Sequence, residues 1–213
     1  MKTDDLVTML SANVEPVERG LVGRAISIAV AAGAAIALCL MLTGLGVRAD
    51  LTTTRAVIFL LLKVAFALMV VGLAGGYLMR LARPGARQGI SPLAIVAPFV
   101  AVALLGAISL SGAPSSHWNR MILGDEWLEC LLSIPIIAIV PFAIAIFAVR
   151  RAAPTNLVRA GAVAGLVAGG ISAMAYALHC TDDSLPFVAV WYGATIVLCT
   201  LAGAALGPRL LRW

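Results

Sequence analysis

Charge is what this chain has least of. Only 12% of its 213 residues are Asp, Glu, Lys or Arg, about half the share of an ordinary soluble domain. Hydrophobic residues make up 62%. So few polar side chains are too few to cover a water-soluble globule, and the class is an integral membrane protein. A basic start with a short apolar core is also missing. The first apolar run begins only after about two dozen residues that include Asp4, Asp5, Glu15 and Glu18, which reads against a cleavable signal peptide. The apolar runs do not alternate with polar residues, which excludes a β-barrel pattern. There is no Ser-His-Asp arrangement, no glycine-rich phosphate loop and no HExxH, so no enzyme is expected and no cofactor. The net charge of +5 is no sign of nucleic-acid binding, because in a membrane protein the position of charges matters more than their sum.

What is present is long stretches of oil. A spanning helix needs about 20 mostly apolar residues, and six stretches qualify: Ala25–Val47, Val57–Met79, Pro92–Gly112, Trp127–Val149, Leu157–Leu178 and Leu185–Leu206. Lipid offers backbone groups no partner, so all six are expected as helices. Small residues recur, as "AAGAAIA" in the first span, "AGAVAGLVAGG" in the fifth and "AGAALG" in the sixth, and such residues let helices pack closely. Basic residues set the orientation. With a cytoplasmic N-terminus, Lys2, Arg19, Arg24, Arg80, Arg83, Arg87, Arg150, Arg151, Arg159, Arg209 and Arg212 fall inside, against Arg48, Arg55 and Arg120 outside. The fold class is therefore all-α: a polytopic membrane protein, a bundle of six transmembrane helices with both termini cytoplasmic. A cytoplasmic segment, residues 1–24, precedes a transmembrane domain, residues 25–213.

On that orientation "YALHCTDDSLPF" (176–187) faces outward and gathers His179, Cys180, Asp182 and Asp183. Cys130, in "DEWLECLLSIP" beside Glu129, is expected at the same depth and on the same side. Two thiols facing an oxidising compartment form a disulfide if their Cα atoms come within about 7 Å. Acidic neighbours with the His179 imidazole also suit a soft or borderline divalent metal. A structural disulfide, a thiol or metal sensor, and two unrelated buried cysteines all fit, and the spacing matches no tight metal motif. Cys39 and Cys199 have apolar neighbours and read as packing residues.

Lys63 is a charge inside the second span, about two turns from Arg55. Its long stem is expected to snorkel to the interface or to meet an acid. No other span carries an obvious carboxylate, which weakens an ion-coupled transporter. His117, in "APSSHWNR", reads as a solvated loop residue. In the N-terminal segment Thr3 is placed to cap a helix, with Asp4 and Asp5 in its first turn. Leu6, Leu10, Val14, Val17 and Leu21 recur at three- or four-residue spacing, and Pro16 is expected to break the run. An acidic amphipathic segment of this kind suits the groove of a basic partner, with Asp4, Asp5 and Leu6 as candidate contacts.

Several stretches together resemble a known family. They are "MKTDDLVTMLSANVEPV", the "DL" at Asp50 with Lys63 beyond it, "LARPG", "ECLLSIPIIAIVP", "APTNLVRAGAVAGLVAGG", "YALHCTDDSLPFVAVWY" and "GPRLLRW". End to end, the chain is similar to the NrsF family, six-span inner-membrane proteins of proteobacteria. The resemblance implies an anti-sigma factor whose partner is an extracytoplasmic-function sigma factor of the sigma-F type. It implies that Cys130 and Cys180 matter for sensing oxidative or heavy-metal stress, and nothing for Cys39 or Cys199. His179, Asp182, Asp183 and Glu129 are the expected polar shell. The bilayer is the second partner; metal identity and oligomeric state are left unassigned. The competing readings are a small membrane transporter or metal-efflux component, and a static subunit with an outer disulfide.

Overall fold

The computed structural model describes residues 3–12, 21–82, 91–152 and 154–212, and among them no strand occurs. A first helix, α1 (Thr3–Ala12), is followed by α2 (Leu21–Gly44) and α3 (Thr54–Leu81). A 3₁₀ turn, Pro92–Val96, leads into α4 (Ala97–Ser111), and a second, Ser115–His117, leads into the short α5 (Trp118–Leu123). Then come α6 (Trp127–Arg150) and α7 (Leu157–Tyr176). The last span opens with a single turn, α8 (Leu185–Phe187), passes through a π-turn at Val188–Tyr192 and ends as α9 (Gly193–Leu210). Six segments are long and apolar enough to cross a membrane, at the places the hydropathy pattern marks.

The boundaries follow local chemistry. Thr53 caps α3 by accepting the Ala56 N–H, Ser91 accepts the Leu93 N–H, and Asn156 accepts the Arg159 N–H at the start of α7. The first helix begins at Thr3 itself, with Asp4 and Asp5 in its first turn, so Thr3 stands within the helix and not before it. Leu6, Val7 and Met9 are exposed there. The expected break at Pro16, the pattern at Val14 and Val17, and the Arg83–Gly85 stretch lie outside the described residues. One expectation is corrected: Cys39 is exposed on the outside of the bundle and does not pack inside it. The outward face of a membrane-length helix is as apolar as its inward face, so the sequence pattern alone does not separate it from core.

Helix α7 is the spine. It packs against α2, α3, α6 and α9, and 72% of its spanning window is buried, the largest share of the six. Its run of Ala and Gly explains this. Between helices in lipid there is no hydrophobic driving force, so association relies on close van der Waals contact, which small residues permit. Gly161 and Gly165 on α7 face Gly203 and Gly207 on α9 at backbone contact: a Cβ on Gly161 would sit 2.6 Å from the Gly207 Cα. A methyl there meets backbone that has nowhere to move. Gly161→Val is therefore expected to lower stability by about 1–3 kcal/mol through overpacking, read as a lower melting temperature in detergent. Gly72→Ala, where a Cβ meets nothing within 4 Å, is expected to leave the melting temperature unchanged or slightly raised.

Candidate functional site: a buried thiol and ion-pair cluster

Three connecting segments, 45–53, 112–126 and 177–184, meet at one end of the bundle. Helix α2 ends at Gly44, and the Leu45 and Gly46 N–H groups both donate to the Met41 carbonyl. Gly46 has φ +78°, a left-handed conformation that glycine adopts without strain. That turn aims Arg48 inward, where its N–H donates to the Leu178 carbonyl at 3.1 Å.

The Arg48 side chain is fully buried and all five of its N–H donors have acceptors. Nε donates to Asp50 Oδ1 at 2.5 Å, and Nη2 to Asp50 Oδ2 at 2.7 Å and Asp183 Oδ2 at 2.8 Å. Nη1 donates to Asp183 Oδ1 and to the Cys180 carbonyl, each at 2.9 Å. Both carboxylates are thus held by the planar fork, a geometry that lysine does not reproduce. The two carboxylates hold the guanidinium proton even more tightly than usual, and Arg48 in turn holds the Asp50 carboxyl below its ordinary range.

Lys63 joins the same acceptors from α3. It is 0% exposed, so it turns into the bundle and does not snorkel outward. Its Nζ donates to the Cys180 carbonyl at 3.0 Å and lies 3.4 Å from Cys180 Sγ and 3.5 Å from Asp183 Oδ1. The Tyr192 ring, at the end of the π-turn, stands 5.9 Å from the ammonium. A π-turn adds a residue to one helical turn and re-aims side chains, a feature frequent at functional sites. The hydroxyls of Ser172, Tyr176 and Tyr192 are buried without a full hydrogen bond, the Tyr192 hydroxyl facing the Cys180 sulfur.

Cys180 and Cys130 are both 0% exposed and belong to one apolar cluster, and both are free thiols. Glu126 ties them together. Its carbonyl accepts the Cys130 N–H at 2.9 Å, while its carboxylate accepts the Thr181 N–H at 2.9 Å and the Thr181 hydroxyl at 2.6 Å. Asp182 accepts the N–H groups of Asp125 and Glu126 and so caps the start of α6. Gly124 (φ +62°) is needed there, since a Cβ would lie 2.6 Å from the Asp182 carboxyl carbon. Burial pushes the Cys180 thiol up, opposed by the positive charge of Lys63.

The expected polar residues are thus distributed among separate tasks. Asp183 binds Arg48 and Lys63, and Asp182 caps a helix. His179 sets Nδ1 3.1 Å from the Gly46 carbonyl and Nε2 3.7 Å from Glu129. Among the described residues no group of three or more His, Cys, Asp or Glu converges to hold a metal ion. Asp4, Asp5 and Leu6 are exposed on α1 and make none of these contacts. Arg48, Asp50, Glu126, Tyr176 and Tyr192 enter the cluster without having been singled out from the sequence. Two of them carried a signal: Arg48 as one of three basic residues on the outer side, and Asp50 in the "DL" of the family resemblance.

Fold and site together define a polytopic α-helical protein with six membrane-length spans and a buried thiol pair beside an ion-pair cluster at one end. A family model described as negative regulator of sigma F (NrsF) matches residues 10–213, and the chain belongs to that family. It is 36% identical, over the full length of both chains, to a protein of Azospira oryzae named probable anti-sigma-F factor NrsF. It is 33% identical, again over both full lengths, to the anti-sigma-F factor NrsF of Caulobacter vibrioides. No solved structure matches.

Two outcomes are expected of this cluster. Asp183→Ala strands Arg48 and Lys63 in the interior and should cost about 3–5 kcal/mol, read as a lower denaturation midpoint in detergent, with Asp50→Ala costing much less because Asp50 is half exposed. Native Cys180 should react with a small neutral alkylating agent roughly tenfold or more slowly than in the denatured chain at about pH 8, its pH midpoint displaced upward. Equal rates in both states would mean an open site.

Proposed function

We propose that the chain is an anti-sigma factor of the bacterial inner membrane, with both termini in the cytoplasm, that holds an extracytoplasmic-function sigma factor of the sigma-F type. Oxidative or heavy-metal stress acting on Cys130 and Cys180 at the periplasmic end releases it. The sequestering half rests on the family match across residues 10–213 and on the names of the two full-length relatives. The sensing half is carried by one observation: Cys180, whose carbonyl binds both Arg48 and Lys63, sits directly after α7, the helix that touches four others. A chemical change at that sulfur disturbs the end of the element on which the bundle is assembled.

The N-terminal segment, residues 1–24, is the proposed grasping element, with Asp4, Asp5 and Leu6 on the exposed helix α1 as contacts. Its acidic first turn and exposed Leu6, Val7 and Met9 suit an apolar groove with a basic rim. Release needs only a modest bias. A coupling free energy of about 1–3 kcal/mol changes affinity roughly 5–150-fold. The surplus of arginines at the opposite end, including Arg150, whose Nη2 donates to the Arg212 carbonyl, supports a cytoplasmic assignment for that end.

Deleting residues 1–24 is expected to abolish recovery of the sigma factor in a pull-down from solubilised membranes. Cys130→Ser with Cys180→Ser should keep recovery intact and prevent its loss under oxidant or heavy metal. Retained binding after the deletion would move the contact to the arginine-rich loops, and normal release from the double mutant would remove the thiols from the signal.

A further inference from the structure

We propose that Cys180 and Lys63 form a covalent modification site: oxidation of the Cys180 thiol by a small hydroperoxide leads to a sulfur–nitrogen bond between Cys180 Sγ and Lys63 Nζ. This deepens the reading of Cys180 as a sensing thiol and rests on it. The amine is already in contact with the sulfur, 3.4 Å away, and also donates to the carbonyl of the same cysteine at 3.0 Å. Neither side chain is exposed. Two groups fixed in contact react at effective concentrations far above those of free reagents. A cleft of about 550 Å³ lined by Arg55, Asp183 and Ser184 opens at this end, beside the Asp183 carboxylate that Lys63 meets.

The chemistry balances in two steps. The hydroperoxide O–O bond breaks as sulfur takes one oxygen; the thiol becomes a sulfenic acid and the other oxygen leaves as an alcohol or water. Sulfur is oxidised by two electrons and the peroxide is reduced by two. A sulfenic acid condenses with a neighbouring thiol or nitrogen. Here the Lys63 ammonium gives one proton to Asp183, whose Oδ1 is 3.5 Å away. The amine lone pair then attacks sulfur, and the hydroxyl leaves as water with a second proton from nitrogen. The product is a sulfenamide, which two equivalents of an external thiol reduce back to thiol and amine with formation of one disulfide. Bond formation removes the Lys63 charge and protonates Asp183, so Arg48 loses one of its two anionic partners. The contact that holds segments 45–53 and 177–184 together is thereby weakened.

The test uses the full-length protein in membranes. It is treated with hydrogen peroxide, denatured in the presence of an alkylating agent, digested and analysed by mass spectrometry. The expected result is a linked pair of peptides containing Lys63 and Cys180, two hydrogens lighter than their sum. The pair should form equally in Cys130→Ser, be absent from Lys63→Arg and disappear with dithiothreitol. A Cys130–Cys180 disulfide or a Cys180 sulfinic acid with Lys63 unmodified would overturn the proposal, as would a link that requires Cys130. The mass readout involves no sigma factor. A link without sigma release leaves the chemistry standing and removes the sensing role; release without a link does the reverse.

Discussion

One buried guanidinium organises the end of this bundle. Arg48 is carried out of water completely, and that is tolerable only because each of its donors meets an acceptor on the 45–53 or 177–184 segment. The requirement runs in both directions. Asp183 and the Cys180 carbonyl are placed where the fork reaches them, and Lys63 then finds the same two acceptors from α3. With the 177–184 turn pinned, Asp182 and Thr181 fall opposite Glu126, and the start of α6, with Cys130, is fixed in turn. The environment of both thiols follows from a charge that has nowhere else to go.

The opposite requirement governs the middle of the molecule. There the helices have almost no polar groups with which to recognise one another, and α7 and α9 meet through glycine at backbone contact. Such an interface depends on shape and contains few directional bonds. The proposed release would need a change at the charged end to reach the other through these apolar contacts. That is the physical content of coupling between two distant sites.

The architecture was open to reading in the sequence because lipid leaves a chain so few choices. Apolar length and the need to satisfy every backbone group in place mark six helices, whereas the caps Thr53, Ser91 and Asn156 emerged only with the structure. The cluster was legible only in part. Lys63 and the Cys180 stretch stand out as polarity inside oil, but their partnership depends on the 45–53 turn. Nothing local says that Arg48 points inward and not to the headgroups. Glu126 looks like any acid in a loop until the fold sets it against Thr181. Cys39 misled for the complementary reason: the lipid-facing and core-facing sides of a spanning helix have the same composition, and only the neighbours distinguish them.

Affinity of the purified sigma factor for the full-length protein in nanodiscs, measured before and after oxidation of the thiol cluster, tests the link between the two ends most directly. If chemistry at Cys180 is transmitted through α7, oxidation weakens binding by roughly tenfold or more, and reduction restores it. Unchanged affinity in a protein whose Cys180 is demonstrably oxidised would contradict the coupling.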